Sequence, residues 1–183
     1  MYLNQITLIE LDEVYLADQL DKVESWLDHT ATAQFILMEK LQKAIPKIEE
    51  PHIREAIEKV ADANKHHAHG VKQLFSFIDR KYNKKTDSVV AAATAKLEVG
   101  ILGFQDLFGG AVGSWQGLHH LLLLNQQAMG AFAVVEQLGY SLGMKEIVDI
   151  GFSVTHEKQM HHIVLQEYML EMAPISILYK RNI

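Results

Sequence analysis

Cysteine is absent from this 183-residue chain. That removes thiolate nucleophiles, disulfides and cysteine-ligated zinc from consideration. Proline is scarce: Pro46, Pro51 and Pro174 are the only three, and two of them bracket one short connection. No run of residues alternates apolar and polar positions as a half-buried strand would. Basic charge is also in short supply. Seventeen Lys+Arg against 23 Asp+Glu leave a formal charge of −6, which suits solubility and argues against a broad nucleic-acid interface, because phosphate contacts need a basic face. An uninterrupted apolar run is missing as well. The most apolar stretch, Leu118 to Leu138, is broken by His119, His120, Asn125, Gln126, Gln127 and Glu136, whereas a membrane span needs about 18 or more apolar residues in succession. Met1-Tyr2-Leu3-Asn4-Gln5 carries no basic segment ahead of an apolar core, so no signal peptide is expected and the cytoplasm is the default location. There is no phosphate-cradling glycine loop, no nucleophile elbow and no basic-aromatic patch. No residue is assigned a catalytic role.

What the chain does have is apolar residues recurring every three or four positions, the spacing of helices. A chain of this length hides roughly 70% of its unfolded surface on folding, enough for one domain without staples, and residues 1–183 are read as one domain. A first helix is expected over about Leu11 to Ile45, with Leu16, Leu20, Val23, Leu27, Ala31, Gln34, Met38, Leu41 and Ile45 facing inward. A second starts after Pro51 and ends near Arg80, with Ile57, Ala61, Asn64, Ala68, Val71, Phe75 and Ile78 inward. A polar loop, Lys81 to Ser88, leads to a shorter helix over about Val89 to Phe108. A third long helix spans about Ser114 to Leu138 with Gly139 as its stop, and a fourth about Leu142 to Met172, ended by Pro174. Two antiparallel hairpins joined by a crossover give an all-α fold with the connectivity of a ferritin-like four-helix bundle.

Polar residues on the inner faces carry the chemistry, because a bundle core is otherwise apolar. On the fourth helix, Glu157 and His161 stand four apart on the face taken as inward with Val154, Leu165 and Tyr168. Together they offer one oxygen and one nitrogen ligand, or a Glu–His hydrogen bond that fixes packing. Asn64 sits mid-stripe on the second helix with His67 at its edge, Asn125 mid-stripe on the third and Gln34 on the first. Two-iron bundles draw a Glu from each of two helices and a Glu-x-x-His pair from each of the other two. Here the positions correspond, but amides stand where three carboxylates would be, and an amide cannot neutralise a cation. Glu58, Asp62, His66 and His69 fall on the outer face of the second helix and read as solvated. His119 and His120 flank the third stripe.

Several short segments resemble the ferritin-like bacterial stress proteins of the YciF type. Lys43-Ala44-Ile45-Pro46-Lys47-Ile48 is similar to the end of that family's first helix. Ile53-Arg54-Glu55-Ala56-Ile57 followed by His67 is similar to its second helix, and Ala95 to Ile101 to its crossover segment. Glu136-Gln137-Leu138-Gly139-Tyr140 matches its corner between third and fourth helices, and His156-Glu157-Lys158 the fourth helix. The acidic run of the family's third helix is replaced by Leu122 through Asn125. The resemblance implies the ferritin-like fold, a stress-associated role and a metal in the core.

Two functions follow. The first is a bundle with a weak or mononuclear metal site of His67, Glu157 and His161, with Gln34, Asn64 and Asn125 around it, performing oxygen or peroxide chemistry at iron or manganese. The second is a metal-free bundle acting as a homo-oligomeric binding or structural protein, with a dimer favoured, because the near-continuously apolar third helix has two faces to bury. A haem or small-molecule pocket using a core histidine is a third idea.

Overall fold

The structure, a computed structural model, describes residues 13–82 and 114–179. Four long helices make up nearly all of these: α1 Glu13–Ala44, α2 Pro51–Phe77, α3 Ser114–Leu142 and α4 Lys145–Leu178. No strand occurs among the described residues. The helix expected over Val89 to Phe108, and the Gly109–Gly113 segment after it, lie outside them.

Several helix ends have a local cause. Pro46 tightens the end of α1 into a 3-10 turn, Ile45–Lys47, and Pro51 opens α2 at its first helical position, where no N–H is needed. Between them the Arg54 side chain donates to the Ile48 carbonyl at 2.8 Å and 2.5 Å. α2 closes with Asp79 in the left-handed region (φ 54°). There Asp79 N–H donates to Ser76 O (3.2 Å) and Arg80 N–H to Phe75 O (3.0 Å), the paired closing bonds of a Schellman stop. α3 ends the same way one turn later than the sequence suggested. Gly143 (φ 67°), not Gly139, is the left-handed residue, and Met144 N–H reaches Gly139 O at 2.9 Å. Pro174 does not end α4 either, which runs on to Leu178 with the proline inside it.

Short links force α1 and α2 into one antiparallel hairpin and α3 and α4 into the other. α1 packs on α2 and α3, and α4 packs on α2 and α3, so the four axes form a square. Gly139 and Gly151 make the α3–α4 contact very close. A β-carbon at Gly151 would lie 2.7 Å from the backbone N of Glu136, and one at Gly139 would lie 2.8 Å from that of Val148. These glycines are packing residues rather than breaks.

The apolar core is in two parts. One gathers Ile36, Leu37 and Leu41 from α1, Ile53, Ile57 and Val60 from α2, Leu118, Leu121 and Leu124 from α3, and Leu165 and Met172 from α4. The other gathers Val23 and Leu27, then Val71, Leu74 and Phe75, then Phe132 and Val135, then Ile147 and Val154. Every helix also carries a buried polar residue near its middle: Gln34, Asn64, Asn125 and Lys158.

Candidate functional site

Gln34 of α1, Asn64 of α2, Asn125 of α3 and Lys158 of α4 are all fully buried. Hydrogen bonds link the four across helices, so together they form one polar layer across the bundle. Asn64 is its hub. Its Oδ1 accepts from Lys158 Nζ at 2.8 Å and from Gln34 Nε2 at 3.0 Å, and its Nδ2 donates to Val60 O at 2.8 Å. Gln34 Nε2 also reaches the Asn64 carbonyl at 3.0 Å. Asn125 Nδ2 donates to the Lys158 carbonyl at 2.8 Å, and the Lys158 ammonium stands 5.9 Å from the centre of the Phe132 ring.

Two acceptors in the layer, Gln34 Oε1 and Asn125 Oδ1, are buried and accept no hydrogen bond. An ammonium carries three N–H donors, so the surplus of carbonyl oxygens and the cation complement each other electrostatically. Burial nevertheless dominates: it lowers the Lys158 pKa from its ordinary 10.5 to about 7, with the Glu157 carboxylate opposing.

His67, Glu157 and His161 come together beside this layer, at its rim. His67 is buried and its Nε2 lies 2.8 Å from Glu157 Oε2. The His161 ring, partly buried, is 5.8 Å from that of His67, centre to centre. Desolvation first, then the Lys158 charge, lowers His67 to about 4 against the favourable Glu157 contact. His161 is lowered by the same two causes in the same order.

The inward placement of Gln34, Asn64 and Asn125 agrees with the sequence reading. That of Glu157 does not: its side chain is 51% exposed, and the inward polar residue of α4 is its neighbour Lys158. Angular arithmetic contains the signal. At about 100° per residue, taking Val154 as zero, Leu165 falls near 20°, Lys158 near 40° and Glu157 near −60°. Lysine is rarely buried, so its residue type points away from what its angle indicates. The outer-face reading of Glu58, Asp62, His66 and His69 holds, since all four are exposed.

The layer does not suit a two-metal centre. Its donor set is three neutral amides, it contains no carboxylate, and Lys158, charged below about pH 7, already stands in it, so an added cation would meet no counter-charge. Among the described residues no group of three or more His, Asp or Glu side chains is arranged to hold a metal ion. No helix among them is long and apolar enough to cross a membrane. Compared with known proteins, the chain matches no family model, no curated protein and no solved structure.

Proposed function

We propose that this chain is a ferritin-like bundle whose metal has been replaced by its own lysine, and that it works as a metal-free binding or structural protein. The single observation that carries this reading is Lys158 Nζ, fully buried and 2.8 Å from Asn64 Oδ1, in the layer where a bundle of this connectivity would hold its cation. The two hairpins and the long chain segment between α2 and α3 support the ferritin-like part. With the internal charge supplied by the polypeptide, the layer offers an added cation two neutral carbonyl oxygens and no counter-charge, a poor setting for oxygen chemistry. Function then falls to the outer surface.

A second reading is favoured by the rim trio. His67 Nδ1 and His161 Nδ1 are buried without partners, and with Glu157 they would make a weak mononuclear iron or manganese site after side-chain rearrangement. One experiment separates the two. Protein purified without chelator is reloaded anaerobically with iron(II) or manganese(II), desalted, and its metal measured by mass spectrometry. The metal-free reading expects clearly substoichiometric retention. About one equivalent that disappears in Glu157→Ala/His161→Ala would overturn it in favour of the rim site.

A further inference from the structure

α4 presents a second apolar face, and it points away from the bundle. Phe152, Met160, Ile163, Leu170 and Ile177 are between 45% and 58% exposed. At about 100° per residue they fall within an arc of about 100°, and at 1.5 Å per residue they run along about 37 Å of helix. Exposed Pro174 lies in the same arc. The sequence points to α3 as the helix with two faces to bury, but in the structure the unpartnered stripe belongs to α4. On α3 the large exposed apolar residues are Val134 and Tyr140.

We infer that a second copy of this chain covers that face, α4 against α4 in antiparallel, two-fold pairing. The inference rests on the reading of the chain as a protein that acts through its surface. Charge narrows the occupant. Between Phe152 and Ile177 the ionised exposed residues are Glu157, Glu167 and Glu171, and the one lysine, Lys158, is buried. An acidic rim repels anionic lipid headgroups and nucleic-acid phosphates alike. Area is sufficient for a self-contact. Five large apolar side chains, each about half exposed, offer roughly 500 Å² per copy, and two copies reach about 1,000 Å² before flanking residues are counted, the threshold of a specific interface.

The spacing fixes the orientation. His156, Ile163, Leu170 and Ile177 recur every seven residues, interleaved with Phe152, Gln159, Gln166 and Ala173, the two seam positions of a paired helix. Parallel pairing would stack His156, Gln159 and Gln166 each on its own copy. Antiparallel pairing sets Phe152 opposite the partner's Ile177, Gln159 opposite the partner's Leu170, and Ile163 opposite the partner's Gln166. Every layer then keeps an apolar member. Glu157 and Glu171 stay outside the seam, and Glu167 flanks it next to Met160 in the arc.

Light scattering at micromolar concentration tests the inference, with an expected mass of twice the chain's 20.7 kDa. Ile163→Glu/Leu170→Glu, at half-exposed positions, is expected to keep native helicity by circular dichroism and to weaken association at least about a hundredfold. Because the chain has no cysteine, single substitutions report orientation. Oxidised Ile163→Cys, close to the two-fold axis, should cross-link to itself. Phe152→Cys should not, yet should cross-link when mixed with Ile177→Cys. A wild-type monomer, or a dimer that the double variant leaves intact, overturns the interface. Self-cross-linking of Phe152→Cys overturns the antiparallel arrangement. A chain that is monomeric and also retains no metal removes this inference and leaves the metal-free reading standing.

Discussion

Replacing Lys158 by methionine should make the protein more stable, although it deletes a hydrogen bond in the core. Holding the ammonium in the bundle lowers its pKa from 10.5 to about 7. At 1.36 kcal/mol per unit, that depression corresponds to a burial cost of about 5 kcal/mol below pH 7. Against this, the variant loses the 2.8 Å bond to Asn64 Oδ1, which keeps its bond from Gln34, and the contact with the Phe132 ring. These together contribute about 1–3 kcal/mol. Methionine fills a similar volume with no charge, so the net gain at pH 7 is about 2–4 kcal/mol, in the range found when buried ionic groups yield to apolar ones. The sign with pH is definite. As pH rises from 7 towards 10.5 the unfolded chain still binds the proton that the folded chain has released, so wild-type stability rises relative to Lys158→Met. The gap between the two should close by about 1.4 kcal/mol per pH unit over that window and stay constant below it. Urea denaturation of both proteins at pH 6, 7, 8 and 9 reads this directly. A variant less stable than wild type at pH 7, or a gap that does not change between pH 7 and 9, would refute the argument that Lys158 is a costly internal cation.

The other predictions concern separate parts of the bundle. Gly151→Ala places a methyl against the Glu136 backbone and should cost about 1–3 kcal/mol, read as a lower thermal midpoint; an unchanged midpoint would mean that α3 and α4 can separate freely. Asp79→Gly relieves a left-handed residue that carries a β-carbon and should raise stability by about 1 kcal/mol, visible in the urea midpoint. His67 is held near 4 by burial, so its stabilisation is complete above about pH 6.5 and is lost as pH falls through 4. His67→Gln should therefore be less stable than wild type at pH 7 and approach it at pH 4.5, a convergence that paired denaturation curves would reveal or deny.

Most of the helices, and three of the four residues of the polar layer, were legible from spacing alone, because a bundle buries one stripe per helix and amides interrupt an apolar stripe conspicuously. The helix ends were less legible. Gly139 and Gly143 are equivalent as residue types, and what separates them is that one faces α4 backbone while the other adopts a positive φ. Lys158 was hidden by its chemistry: its angle pointed inward, but the desolvation it suffers is offset only by partners from other helices, which no local pattern displays. The exposed stripe of α4 was hidden for the opposite reason. A helix apolar on two sides blurs its own periodicity, so neither face stands out.

The polar layer also governs alignment. A bundle lined only with aliphatic side chains has nearly equivalent packings related by sliding one helix a heptad past the others, since leucine meets leucine either way. Shifted by seven residues, Leu165 or Gly151 would take the place of Lys158, and the ammonium would be carried into an aliphatic half of the core with nothing to accept its protons. Asn64 would simultaneously lose the donor that its Oδ1 now receives from α4. The lysine that weakens the native state therefore weakens the displaced states more. It widens the energy gap between the intended packing and its neighbours, and removing it should give a sturdier protein that is less particular about how its helices meet.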